Sequence, residues 1–185
     1  EQVAARIGER TRALVLPSPG NPTGVVLSRA ELEALAAICR ARGLFFVCDE
    51  VYREFVYDLP AGSRAPSLLA LRDFDDHAVV IDSVSKRYSA CGARVGALVT
   101  RNPTLRDAAL RFAQARLSPA TVDQHAAMAA LDTPPDYFER VIAEYRARLD
   151  SLVSALRGIG VRCATPSGAF YLVAPLPVAD ADDFC

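Results

Sequence analysis

The five residues Leu44-Phe45-Phe46-Val47-Cys48 are apolar without interruption and stop at Asp49-Glu50. A strand-length run with no polar alternation has no face to give to water, so it belongs inside a parallel sheet covered on both sides. Ala78-Val79-Val80-Ile81 repeats the pattern and ends in Asp82-Ser83-Val84-Ser85-Lys86. Arg12 to Leu16 reads as a short apolar strand, closed by the turn-dense string Pro17-Ser18-Pro19-Gly20-Asn21-Pro22-Thr23-Gly24, and Val95 to Thr100 reads as a fourth strand. Between the first two strands, Ser28 and Glu31 form a capping box, and Leu32, Leu35, Ala36 and Cys39 recur at helical spacing until Gly43. Asn102-Pro103 opens a helix to about Arg116, and Pro119 opens another to about Leu131. Strands and helices alternating in this order predict an α/β domain with a mostly parallel sheet.

From Pro134-Pro135 the character changes. Phe138, Val141, Ile142, Tyr145, Leu149, Leu152, Val153 and Leu156 form one stripe of a long amphipathic helix that Gly158 ends. Val161 to Leu176 reads as a pair of strands around Pro166-Ser167-Gly168. A boundary near Thr133 therefore divides residues 1–132 from a smaller α+β domain begun in residues 133–185. The chain starts at Glu1 without a signal-like segment, so it is expected to be a piece of a longer protein.

Composition removes several classes of function. Basic and acidic side chains number 21 and 22, for a formal net charge of -1, and no basic block is present. That argues against a nucleic-acid partner, which needs clustered cations. No apolar run approaches the roughly 18 residues of a membrane helix; one of the longest, Ala126 to Leu131, has about six. An apolar content of 51% excludes disorder. Cys39, Cys48, Cys91, Cys163 and Cys185 include no C-x-x-C pair, and with two histidines neither a zinc site nor a disulfide framework is expected. A reducing, cytoplasmic setting follows. One count points the other way, toward chemistry: of 21 basic residues, Lys86 is the only lysine. An amine can lose a proton and attack a carbonyl, which a guanidinium cannot do near neutral pH.

In open α/β sheets the ligand crevice lies beyond the carboxyl ends of the strands. Asn21, Asp49 and Lys86 each follow such an end, which gives an amide, a carboxylate and the lone amine a common meeting place. Asn21-Pro22-Thr23-Gly24, then Asp49-Glu50-Val51-Tyr52, then Ser83-Val84-Ser85-Lys86 with Gly92-Ala93-Arg94-Val95-Gly96, are similar in order and spacing to the large-domain motifs of fold-type I, class I/II aminotransferases. A later Gly168-Ala169-Phe170-Tyr171 is similar to a small-domain segment of the same family. The stretch from Ser83 to Gly96 most resembles bacterial proteins described as aspartate aminotransferases.

The resemblance implies a three-layer αβα large domain, pyridoxal phosphate as cofactor, an L-amino acid and a 2-oxo acid as substrates, and a homodimer. It implies that Lys86 binds the cofactor aldehyde covalently and moves the substrate α-proton. Asp49 would pair with the ring nitrogen, and Asn21 and Tyr52 would donate to the ring's phenolic oxygen. Ser83, Ser85 and Arg94 would hold the phosphate, with Gly92 and Gly96 allowing close backbone approach. A further phosphate loop and a ring-stacking aromatic are expected upstream of Glu1, and the arginine that grips the substrate carboxylate beyond Cys185. On that account the isolated chain is expected to bind the cofactor weakly, to show no transamination and to associate.

The remaining candidates read as structural. His77 and His125 have no partner at a telling spacing, Cys91 reads as a small packing residue, and Glu50 as a solvated neighbour of Asp49. Gln114 to Pro119 is placed by the resemblance near a subunit interface. Two rival functions use the same motifs: a C–S lyase or synthase on the same fold, and the cofactor-binding domain of a transcriptional regulator.

Overall fold

The computed structural model describes residues 2–60 and 63–176, together with 178, 180 and 182. Its strands are β1 (Ala13–Pro17), β2 (Phe45–Asp49), β3 (Ala78–Ser83) and β4 (Gly96–Val99). Its helices are α1 (Gln2–Arg6), α2 (Arg29–Ala41), α3 (Val84–Arg87), α4 (Pro103–Arg116), α5 (Thr121–Ala130) and α6 (Pro135–Gly158). The strands lie in the order β1-β2-β3-β4, with the first three parallel and β4 antiparallel to β3. This is the α/β, mostly parallel sheet that the apolar runs imply. β4 reverses because the chain turns back at the carboxyl end of β3 and re-enters beside it, pairing Gly96 with Ser83.

Local chemistry sets the helix ends. Ser28 Oγ accepts from the Glu31 amide at 3.2 Å while the Glu31 carboxylate takes the Ser28 amide at 2.8 Å, closing the capping box of α2. Asn102 Oδ1 accepts from the Leu105 amide at 2.9 Å and caps α4, with Pro103 at its first position. α2 then buries Leu32, Ala36 and Cys39 against Phe46 and Cys48 of β2, Val80 of β3, and Leu68, Leu71 and Phe74 from the connection between those strands. His77 belongs to this structural layer: its Nδ1 lies 3.1 Å from the Leu44 carbonyl and its ring stacks on Phe74. The opposite face is more open among the described residues, with Val15 63% and Leu98 46% exposed.

The stretch from Val161 to Leu176 does not form the expected pair of strands. Its one ladder contact is an isolated antiparallel bridge between Val56 and Gly168. The backbone groups a hairpin would need are committed elsewhere: Ser167 O accepts from Tyr57 N at 2.9 Å, Gly168 N donates to Gly24 O at 2.9 Å, and Ala169 N donates to Phe55 O at 2.9 Å. The segment is therefore stitched onto the turns that follow β1 and β2. Phe170 and Tyr145 of α6 stack beside it, and Tyr52, Phe55 and Ala169 are buried there. Cys185 lies outside the described residues.

Gly24 makes that stitching possible. Its φ is +68°, and a Cβ there would overlap Pro166 Cβ and stand 2.9 Å from the Gly168 carbonyl. Gly24→Ala combines a left-handed backbone with a clash against another backbone segment, so it should lose about 3 kcal/mol or more. Urea unfolding measures this. A loss below about 1 kcal/mol would show that residues 166–171 yield easily.

Candidate active site

Pro17, Asp49 and Ile81 stand in one row across the three parallel strands, so β1 and β2 end level while β3 runs two residues further, to Ser83. The chain leaves this row in three turns, and each turn carries part of the predicted site. After β1 come two cis peptide bonds, Ser18-Pro19 and Asn21-Pro22, and the Ser18 amide donates to the Asp49 carbonyl at 2.9 Å. Asn21 is exposed on this turn. At the end of β2, Asp49 is half-buried and its Oδ1 accepts the Val51 amide at 3.2 Å. Glu50 turns the opposite way, into the protein.

Tyr52 is buried, and its hydroxyl lies 2.6 Å from that of Tyr171. Burial pushes this phenol above its ordinary pKa, with the Tyr171 hydrogen bond and the Asp49 charge acting in the same sense, while polar contact with Asn21 pulls the other way. The structure thus brings Asn21, Asp49 and Tyr52 together. After β3, Ser83 Oγ caps α3 by accepting the Ser85 amide at 3.3 Å, and Lys86 projects from this single turn. Lys86 Nζ lies 5.8 Å from the ring centres of both Tyr52 and Phe170. Among the described residues no carboxylate pairs with it.

Arg94 is a partial match to expectation. It sits at φ +54°, and the Val84 amide donates to its neighbour Val95 at 3.2 Å, so its backbone is next to the Ser83 turn. Its exposed guanidinium, however, donates to the Cys91 carbonyl at 2.9 Å and makes no contact with Ser83, Ser85 or Lys86 among the described residues. Of the two flanking glycines only Gly96 is needed for close approach, since a Cβ there would lie 3.2 Å from Asp82 O, whereas Gly92 faces open space. Cys91 is exposed rather than packed. His125 is exposed on α5.

Glu50 overturns its reading as a solvated neighbour. It is 1% exposed, and Oε1 accepts from the Leu68 amide at 2.8 Å and from Ser67 Oγ at 3.1 Å. Burial raises its carboxyl pKa above the ordinary 4.5, against the pull of those two hydrogen bonds and of Arg53. A group whose pKa is higher in the folded state stabilises the fold fully below its unfolded value and loses that contribution as pH rises through the folded value. Glu50→Gln keeps the acceptor and cannot ionise, so it should gain on the parent as pH climbs above 4.5. Glu50→Ala orphans the Leu68 and Ser67 donors and should lose roughly 1–3 kcal/mol. Urea unfolding at about pH 4 and about pH 7 checks both, and parallel pH curves for parent and Gln variant would refute the first. Burial with the neighbouring Glu50 and Asp49 charges also pushes the Cys48 thiol up to about 12, so it is no nucleophile.

The family model for aminotransferase class I and II matches residues 1–185. The chain belongs to that family. Among curated aminotransferases it is 32% identical over 174 residues to the aspartate aminotransferase of Bacillus subtilis, covering 93% of this chain and 44% of that protein. It is 36% identical over 163 residues to the probable N-acetyl-LL-diaminopimelate aminotransferase of the same organism, covering 88% and 40%. Among solved structures, N-succinyldiaminopimelate aminotransferase from Mycobacterium tuberculosis superposes with a TM-score of 0.86 at 33% identity, over 99% of this chain and 48% of that one. Aspartate aminotransferase from Thermotoga maritima gives 0.85 at 30%, over 98% and 47%. The chain thus spans a little under half the length of the aminotransferases it matches.

Aminotransferases of this family depend on pyridoxal phosphate. The donor set at the strand ends fits that group. An amine free of carboxylate partners suits an aldehyde, a strand-end carboxylate suits a ring nitrogen, and a phenol–amide pair suits a phenolic oxygen. Two features of this candidate site escape a reading of the sequence, the aromatic wall of Phe170 and Tyr171 and a partly buried ion pair between Glu54 and Arg87. The first had a signal in the paired aromatics after Gly168-Ala169. The second joins residues from two different turns and had none.

Proposed function

We propose that the chain contributes the Lys86 wall of a pyridoxal-phosphate aminotransferase that moves an amino group between an L-amino acid and a 2-oxo acid, with aspartate the first donor to test. The observation that carries the reading is the sole lysine, set just past the carboxyl end of β3 with its amine 5.8 Å from the centres of both the Tyr52 and Phe170 rings. When bound, the cofactor supplies a ring that accepts the electron pair left at the substrate α-carbon. Lys86 Nζ would hold the aldehyde carbon, and the same amine, when free, would take and return the substrate α-proton. Asp49 keeps the ring nitrogen protonated. Asn21 and Tyr52 donate to the phenolic oxygen, and Tyr171 can then donate to Tyr52 through their existing 2.6 Å contact. Ser83 and Ser85 offer hydroxyls to the phosphate, and Arg94 joins them by its place beside the Ser83 turn.

The same reading divides the chain near Thr133 and includes a cytoplasmic homodimer. Support for association is the row of exposed apolar side chains on and around α4 and α5, among them Phe112 (78%), Leu117 (81%) and Val122 (73%). Support for a reducing compartment is that Cys39, Cys48, Cys91 and Cys163 are all free. Borohydride reduction of the cofactor-loaded full-length protein, followed by peptide mapping, should place a pyridoxyl label on Lys86. A label elsewhere, or none at saturating cofactor, overturns the assignment. Turnover with 2-oxoglutarate as acceptor separates transamination from lyase or synthase chemistry.

A further inference from the structure

We infer that Arg87 is a positioning residue for Lys86: with Glu54 and Asp82 it fixes the single turn carrying the amine against the turn carrying Tyr52. The inference rests on the reading of Lys86 as the cofactor-linked amine. It starts from a mechanical difficulty. α3 has four residues, and one helical turn has almost no stability of its own. Ser89, just beyond it, sits at φ +52°, so the chain leaves the turn abruptly. Some other contact must set where Lys86 points.

Arg87 supplies that contact on two sides. Its Nη2 donates to Asp82 Oδ2 at 2.8 Å, while Asp82 Oδ1 accepts the Ser83 amide at 2.8 Å. One carboxylate therefore brackets α3 at both ends, with Lys86 between. On the other side Arg87 Nε lies 3.1 Å from Glu54 Oε1. Glu54 follows Tyr52 in the same chain turn, held by the Phe55 amide donating to Tyr52 O at 2.8 Å. The guanidinium thus joins the Lys86 turn to the Tyr52 turn, the two parts that must meet at one ring.

Glu54 is buried and Arg87 half-buried, with side-chain exposures of 4% and 17%. Buried ion pairs stabilise little, because desolvation offsets their attraction, and apolar replacements are often as stable; their attested use is to specify one geometry. The details here suit that use. Arg64 approaches the same Glu54 oxygen at 3.4 Å from the exposed side, while Glu54 Oε2 and Arg87 Nε have no hydrogen-bond partner among the described residues. The arrangement is poor for stability and specific in direction. A lysine at this position could not reach Asp82 and Glu54 together with separate donors in a fixed fork.

The test measures attachment of pyridoxal phosphate to Lys86 in the cofactor-free full-length protein, followed by visible absorbance and trapped with borohydride. Glu54→Gln with Arg87→Met removes both charges and leaves no bare buried carboxylate. The double variant should keep the parent's far-UV circular dichroism and attach the cofactor roughly 10- to 100-fold more slowly, the scale of a misplaced reacting group. A pair with only a structural role would shift the urea midpoint and leave the attachment rate within about twofold, and that result overturns the inference. Asp82→Asn, which keeps the Glu54–Arg87 contact but weakens the bracket, decides the matter should the double variant not fold. Slower attachment supports the inference and an unchanged rate overturns it. If the parent itself takes no label at Lys86, the functional reading falls and this inference with it. Label on the parent with unchanged variant rates overturns this inference alone.

Discussion

In the full-length protein, Lys86→Ala is expected to lower transamination at least about a thousandfold, since on the proposed reading one side chain would serve as both covalent anchor and proton carrier. Lys86→Arg should do no better, because a guanidinium holds its proton at any working pH and forms no bond to an aldehyde. Neither change should unfold the protein. The amine makes no ion pair among the described residues, so its loss orphans no buried charge, and stability should move by about 0.5 kcal/mol or less. Steady-state turnover beside urea unfolding separates the two effects. A Lys86→Ala protein within tenfold of the parent would remove this residue from the chemistry.

Asp49→Ala should be the next most damaging, with turnover lower by roughly a hundredfold or more and Asp49→Glu retaining a larger share. The carboxylate has two tasks. Oδ1 accepts the Val51 amide at 3.2 Å, which shapes the turn, and on the proposed reading the carboxylate would also pair with the ring nitrogen. Losing the first task costs about 1 kcal/mol of stability. Losing the second leaves a less electron-withdrawing ring, which lowers kcat more than it raises KM. Stability reduced by that amount with near-parent kcat would leave Asp49 as a turn residue only.

Much of the fold was legible because its signals are local. Ser28 with Glu31, Asn102 with Pro103, and Gly158 each mark a helix end through chemistry within a few residues. The apolar runs before Asp49 and Asp82 reveal the parallel strands because burial leaves no polar alternation. The errors occur where partners are distant. The turn string Pro166-Ser167-Gly168 between apolar residues reads the same whether the backbone pairs with itself or with the turns at Gly24 and Phe55, and here it pairs with the turns. Glu50 looks like Asp49 in sequence, and only the Leu68 amide, 18 positions away, reveals that it points inward. Arg94 matches its motif by position, yet its side chain lies on Cys91 O, a rotamer choice that no motif encodes.

The tyrosine pair has a consequence for the order in which the molecule is made. Tyr52 and Tyr171 stand 119 positions apart, and the Tyr57 hydroxyl reaches Ala169 O across 112. The sheet needs far shorter closures, such as the return from Ser83 to Gly96. Loop-closure entropy grows with separation, so the hairpin-like return closes early on a growing chain and the tyrosine pair closes late. A ribosome must release nearly the whole of this segment before the amine meets its aromatic wall. Competence for the cofactor is in this sense a late property of synthesis, acquired after the strands that aim the lysine are already in register.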